Sequence, residues 1–290
     1  MEPWLDRAAA RRGFEAADGA NVLAREVESR LAERLQYIKL DPKYVIDAGC
    51  GNGAGRIPLR SRFPDADIHG VDFSLKRLRD ACAPADFVSR LKGLFQAPRN
   101  HWLAADMVQL PFATGSCQML WSNLSLAWAA DPLACIKEWH RVLSVGGLLM
   151  FTSYGPDTLK ELRAAFGADT SPHVHNFVDM HDLGDMMVGS GFAEPVMDME
   201  VLTLTYADVR GMLADLRATG QVNTHAARRR ALTGKNRWKE METRYAEMTK
   251  EGRIPATFEI VYGHAWKPTP RQTQDGRQIV QFSPRDRSSP

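Results

Sequence analysis

Seven residues, Asp47-Ala-Gly49-Cys-Gly51-Asn-Gly53, have the composition of a ligand-binding turn. Glycines at alternate positions let the backbone bend sharply and let a ligand approach without a Cβ in the way. Further along stand three polar residues in comparable settings: Asp72 in VDFS, Asp106 in AADM and Asn123 in WSN. A carboxylate such as Asp72 can accept both hydrogen bonds of a ribose diol. Alone, the turn is ambiguous. Gly49-x-Gly51-x-x-Ala54 also satisfies a loosened dinucleotide fingerprint, so hydride transfer stays open, and so does a purely structural turn.

Each of these residues closes a short apolar run. YVIDAG (44–49), DIHGVD (67–72), HWLAAD (101–106), QMLWSN (118–123) and LLMFTSY (148–154) read as strands. Helical stretches separate them, among them 74–82 with Ser74 as N-cap and 131–143 opening on Asp131-Pro132. Such alternation builds βαβ units, so the expected fold is α/β, a doubly wound and mostly parallel sheet. The four polar residues then share the carboxyl edge of the strands, where open parallel sheets bind ligands. Helix capping explains one such residue well and four in register poorly.

The rest of the chain divides by texture. Residues 1–42 form an amino-terminal helical segment, with Val22, Leu23, Val27, Leu31, Leu35 and Ile38 on one face until Asp41-Pro42. Residues 43–204 make the core, and 205–257 read as a basic helical lid inserted before a last strand at 258–268. Residues 269–290, poor in apolar side chains, read as a disordered tail.

Charge follows this division. The chain has 37 Lys and Arg against 35 Asp and Glu, a net of +2 that excludes a strongly basic nucleic-acid binder. Yet 217–253 carries ten basic residues against four glutamates, a local +6. The tail is +2, leaving −6 for the remaining residues. A +6 segment is either a solvated face or a landing surface for an acidic partner. No apolar run approaches the ~18 residues of a membrane span. The start, MEPWLDRAAARRGF, lacks a secretory core, and Cys50, Cys82, Cys117 and Cys135 show no CxxC or metal spacing. A cytoplasmic protein with reduced thiols and no membrane or nucleic-acid partner is the expectation.

Five strings together, D-A-G-C-G-N-G, V-D-F-S, A-A-D-M-x-x-L-P-F, S-N and E-W-x-R-V-L-x-x-G-G, resemble the class I S-adenosylmethionine-dependent methyltransferases, which are Rossmann-like. The resemblance implies that Gly49, Gly51 and Gly53 pack under the methionine part of S-adenosylmethionine, with Asp47, Asn123 and Leu124 beside it. It implies that Asp72, next to Phe73, binds the ribose and that Asp106 and Met107 face the adenine. Longer strings are more specific: WSNLSLAW (121–128), GGLLMFTSYGPDTLKELR (146–163), HVHNFVDMHDLGD (173–185), GFAEPVMDMEVLTLTY (191–206), LTGK (232–235) and PATFEIVYGHAWKP (255–268). From about residue 5 to 268 the chain is similar to the malonyl-acyl-carrier-protein O-methyltransferase family of biotin biosynthesis. It departs from that family at Ala127, where histidine is expected, and in a small insertion in the amino-terminal segment before the first helix, with Phe14 at the expected aromatic position.

That resemblance implies transfer of a methyl group from S-adenosylmethionine, leaving S-adenosylhomocysteine, to the free carboxylate of malonyl-acyl carrier protein. A carboxylate is ionised at neutral pH, so no general base and no metal are expected. Alternatives are another small carboxylate acceptor, or a related respiratory-complex assembly factor that hydroxylates a protein arginine. Candidate donors to the acceptor carboxylate are Tyr154, His173, His175, Asn176, Asn223 and Arg228, with Trp128 as a wall. Arg228, Arg229, Arg230, Lys235 and Arg237 would form the surface for the acidic carrier protein. His173, His175, Asp179 and His181 have the residue types of a metal site, but no Cys or Glu completes one.

Overall fold

A computed structural model describes residues 5–82, 100–167 and 171–269. Five parallel strands form most of one sheet: β1 (Tyr44–Ala48), β2 (Asp67–Asp72), β3 (Asn100–Ala104), β4 (Cys117–Ser122) and β5 (Leu143–Tyr154). β6 (Ala193–Tyr206) and β7 (Ile254–Trp266) pair antiparallel, and β7 also runs antiparallel to β5. The order is β3-β2-β1-β4-β5-β7-β6. Strand order reverses between β1 and β4, the place where such sheets open a crevice.

Central strands are buried on both sides, so successive side chains feed opposite cores. Val45, Met119 and Leu148 enter one, while Ile46, Leu120 and Leu149 enter the other. The first core is closed by α2 (Val22–Leu35), whose Leu23, Val27, Leu31 and Leu35 are buried. Each such side chain contributes roughly 1.5–3 kcal/mol by leaving water. α3 (Arg56–Arg62) and α4 (Leu75–Cys82) follow β1 and β2. The second core is covered by α5 (Pro132–Val142), with Cys135, Ile136, Trp139 and Val142 inward. α6 (Lys160–Phe166) packs with the first core and α7 (Met180–Gly189) with the second.

Several boundaries differ from expectation. β3 stops at Ala104, so Asp106 stands beyond the ladder in a turn that bridges to Gln109. β5 starts at Leu143, before Gly146-Gly147, and β7 starts at Ile254 rather than 258. A separate helix, α1 (Arg7–Ala16), precedes α2. It buries none of its residues, so no apolar stripe announced it. Capping by Asp6, which accepts from the Ala9 amide at 3.0 Å, marks its start.

Between β6 and β7 lie α8 (Val209–Ala218) and α9 (Lys235–Ala246). Their Met212, Leu216, Met241 and Tyr245 join the same core as α2, and the Tyr245 hydroxyl donates to the Pro255 carbonyl at 2.9 Å. No helix among the described residues is long and apolar enough to cross a membrane. Of the expected tail, 270–290 lie outside the described residues.

Candidate active site

A cavity of about 1200 Å³ opens at the carboxyl edge of β1, β2 and β4. α1 and the loop after α8 form its outer wall, contributing Phe14 and Thr219–Gln221. Contacts at both ends of α1 hold the wall. The Asp6 amide donates to the Thr224 carbonyl at 2.8 Å, and the Asp18 and Gly19 amides donate to the Ala218 carbonyl at 3.1 and 2.9 Å. Arg77 of α4 donates to the carbonyls of Phe14 (2.7 Å) and Ala17 (2.6 Å), and Phe14 lies 5.5 Å from Phe73 between ring centroids.

The glycine turn forms the floor. Gly49 has φ +75°, and its amide donates to the Val71 carbonyl at 2.8 Å. A Cβ there would lie 2.2 Å from the Cβ of Ser125, a residue the sequence did not single out. The Ser125 hydroxyl bonds the Ala48 carbonyl at 3.0 Å and ties this turn to the end of β4. Gly53 faces elsewhere. A Cβ on it would strike the Trp102 ring at 2.4 Å, so its need is packing against β3, away from the cavity lining.

Asp72 is 2% exposed and uses both oxygens locally. Oδ2 accepts from the Gly51 amide at 2.9 Å and Oδ1 from the Ser74 amide at 2.8 Å. Burial raises its pKa, and these two amides oppose the rise. Asp106 and Met107 line the opposite side, where Arg7 of α1 pairs with the Asp106 carboxylate. Asn123 and Leu124 also line the cavity. The Asn123 amide group is spent on structure: Nδ2 donates to the Ala24 carbonyl at 2.9 Å and Oδ1 accepts from Thr152 at 2.7 Å. Leu124 has φ +54°, a strained turn held by its amide donating to Thr152 Oγ1 at 2.8 Å.

Asp47 and Glu28 also line the cavity. Glu28, on α2, reads in the sequence as one more polar residue of an amphipathic helix. It is instead 7% exposed and faces the cavity, and it accepts from Trp121 Nε1 at 3.2 Å. Burial pushes its carboxyl up to about 7, against the Trp121 hydrogen bond. Asp47 is raised too, by burial first and then by the charges of Glu28 and Asp72.

The acceptor candidates divide sharply. Trp128 and Tyr154 line the cavity, and burial raises the Tyr154 hydroxyl. Arg228 does not reach it. Its guanidinium donates to Asp6 at 2.8 Å and to the His225 carbonyl at 3.0 Å, at 17% side-chain exposure. Arg228 is thus a strut under α1, and the expected role in holding the acceptor inside the cavity is corrected. Asn223 is likewise a turn staple, donating to the Pro172 carbonyl at 2.7 Å and accepting from the His225 amide at 3.0 Å. His175 is buried with Nε2 against Thr224 Oγ1 at 2.5 Å, and burial pushes it down to about 4, so it is neutral. His173 stacks on Phe166, Asn176 is exposed, and Asp179 caps α7 beside His181. Ala127 is buried in the core outside the cavity lining.

Sequence missed the cavity's arginines, because an arginine on a helix looks like any solvated charge. Arg7 pairs with Asp106, Arg11 with Glu15 at 3.0 Å, and Arg77 with two carbonyls. Arg25, on α2 three residues before Glu28, is exposed and lines the cavity. Among the described residues its side chain has no hydrogen bond or ion pair. Arg229, Arg230 and Lys235 are exposed, Arg237 half-buried.

Residues 46–151 match the family model described as "Methyltransferase domain". A malonyl-[acyl-carrier protein] O-methyltransferase of Gallionella capsiferriformans is 47% identical over 284 residues, covering 96% of this chain and 97% of that one. The protein of the same name from Laribacter hongkongensis is 46% identical, covering 97% of each chain. Among solved structures, the YcgJ protein of a Bacillus species superposes with a TM-score of 0.58 at 13% identity, over 84% of this chain and 99% of that one. That last likeness bears on the fold alone.

Proposed function

This chain belongs to the malonyl-[acyl-carrier protein] O-methyltransferase family, and we propose that the cavity described above is where it methylates the free carboxylate of a malonyl thioester on an acyl carrier protein. One observation carries the assignment of the cavity. It joins buried carboxylates, Glu28 and Asp47, on its floor to an uncommitted guanidinium, Arg25, on its lining. A ligand with a cationic end and an anionic co-substrate fit those two features respectively.

S-adenosylmethionine is the cofactor of this family, and the residues present suit it. The floor offers acids for a positive charge, glycines for close approach, and Asp72 with free lone pairs for a diol. When bound, it supplies a methyl group activated as a sulfonium, which passes to a carboxylate oxygen as the neutral thioether leaves. The chain's own work is positional. Arg25 would hold the acceptor carboxylate by directional donors, Trp128 and Tyr154 would wall it, and α1 with 219–221 would exclude water. No residue needs to remove a proton, because the acceptor is already ionised.

Incubation with methyl-labelled S-adenosylmethionine and malonyl-acyl carrier protein should place the label in a base-labile ester on the carrier. Label on free malonyl thioesters but none on the carrier would refute the carrier as substrate. The exposed basic residues Arg229, Arg230 and Lys235 would steer the acidic carrier. Changing all three to Glu should raise KM for the carrier-bound substrate about tenfold at low salt, as rim charges do. Affinity for S-adenosylhomocysteine should stay as it was, and an unchanged KM at low salt would remove this surface from the argument.

A further inference from the structure

We propose that His175 is a positioning residue for the methyl acceptor, setting the plane of Trp128 from behind the cavity wall. The proposal rests on the reading of Trp128 and Tyr154 as walls of the acceptor's end. His175 lies between α6 and α7, is 3% exposed and does not line the cavity. Its ring meets the Trp128 ring edge to face, at 5.2 Å between centroids and 90° between planes. Such a perpendicular pair suits the charge distribution of both rings, so tilting of the indole is resisted.

Trp128 needs that support. It ends a single 3-10 turn, Leu126–Trp128, and its amide donates to the Ser125 carbonyl at 3.0 Å. That contact ties its backbone to the cavity floor, because the Ser125 hydroxyl also holds the Ala48 carbonyl. The indole is half-buried with the cavity on one side, so packing on the other side decides where it stands. His175 also contacts Phe177 at 5.8 Å between centroids, and Phe177 contacts Tyr154 at 5.4 Å. One chain of rings therefore backs both walls.

His175 is itself held from the far side. Nε2 accepts from the Thr224 amide at 3.1 Å and from the Thr224 hydroxyl at 2.5 Å, and Thr224 is fully buried. Asn223 fastens the same loop to the carbonyl of Pro172, close to His175 in the chain. A neutral imidazole supplies both an aromatic edge for Trp128 and an acceptor for these buried donors. Without the acceptor the donors are left unpaired, and without the ring the indole has room to swing. Methyl transfer needs the carboxylate oxygen, the methyl carbon and the sulfur in line, and a misplacement of about 1 Å can cost about 100-fold. His175 contributes through that alignment and touches neither reactant.

Two substitutions in the full chain separate the ring from the acceptor. His175→Gln keeps an acceptor for Thr224 and removes the ring, whereas His175→Phe keeps a ring and removes the acceptor. His175→Gln should lower kcat for malonyl-acyl carrier protein about tenfold, with KM and S-adenosylhomocysteine affinity within about twofold of the parent. His175→Phe should keep most of kcat at low temperature, yet melt below the glutamine variant because the Thr224 donors are left unpaired. Activity and stability then fall in opposite order, which a merely structural role does not produce. In a Trp128→Leu background, His175→Gln should change kcat by less than about twofold, because the ring it acts through is gone. A further loss of about tenfold in that background would overturn the proposal. So would a glutamine variant as active as the wild type, or a folded phenylalanine variant as inactive as the glutamine one. Either variant decides alone if the other fails to fold. A wild-type protein that transfers no methyl group to the carrier would overturn the acceptor reading, and the positioning role with it. Normal transfer by the wild type with an unaffected glutamine variant would overturn the positioning role alone.

Discussion

Gly49→Ala is expected to weaken S-adenosylhomocysteine binding by at least about 100-fold and to lower the melting temperature by roughly 5–10 °C. Two costs add. At φ +75° an alanine takes the left-handed conformation, about 1–2 kcal/mol. Its methyl would also lie 2.2 Å from Ser125 Cβ and 2.5 Å from Ser125 Oγ. Ser125 cannot retreat freely, because its hydroxyl holds the Ala48 carbonyl and contacts Met107 Sδ at 3.2 Å. Overpacking of this kind costs about 1–3 kcal/mol. Relief must come from moving the end of β4 or the turn itself, and both line the cavity. Gly51→Ala is the control. Its φ is +54°, and its nearest obstruction is Phe14 Cζ at 3.6 Å, an ordinary contact. It should lose the conformational part alone. Calorimetry with S-adenosylhomocysteine and thermal denaturation of both variants check this, and Gly49→Ala binding like the parent would refute it.

That contrast also shows where sequence reasoning reaches and where it stops. Alternating strand and helix patterns pointed to the doubly wound sheet, because central strands buried on both faces read as short apolar runs. Asp47, Asp72, Asp106 and Asn123 all lie on the cavity, because a parallel sheet puts its strand ends at one edge. But three glycines of one motif have different jobs. Gly49 clears Ser125, Gly51 stands open toward Phe14, and Gly53 clears Trp102, and those partners are 76, 37 and 49 residues further on, before or after in the chain. Glu28 and Arg228 show the same limit in opposite directions. One looked like a surface helix charge and is buried against Trp121, while the other looked like a ligand contact and is a strut on Asp6. Charge type is local, whereas what a charge is paired with depends on contacts across 93 and 222 residues.

Arg25→Gln should lower kcat/KM for malonyl-acyl carrier protein by on the order of 10- to 100-fold, with S-adenosylhomocysteine affinity within about twofold of the parent. The expected size is that of hydrogen bonds to a charged group, about 1.5–3 kcal/mol. Arg25 is singled out by elimination among cavity-lining cations: Arg7, Arg11 and Arg77 already hold Asp106, Glu15 and the carbonyls of Phe14 and Ala17. A guanidinium is suited to a carboxylate because its planar fork offers paired donors in fixed geometry. Gln keeps a donor and loses the charge and the fork, and Arg25→Lys keeps the charge alone. Lysine should therefore recover part of the loss, chiefly in KM, whereas a residue that merely supported α2 would show equal losses in both variants. Arg25 is exposed and adds no buried contact to its helix, so neither change should move the melting temperature appreciably. Unchanged kcat/KM in Arg25→Gln would remove it as the acceptor's partner. A parallel fall in S-adenosylhomocysteine affinity would assign it to the cofactor instead.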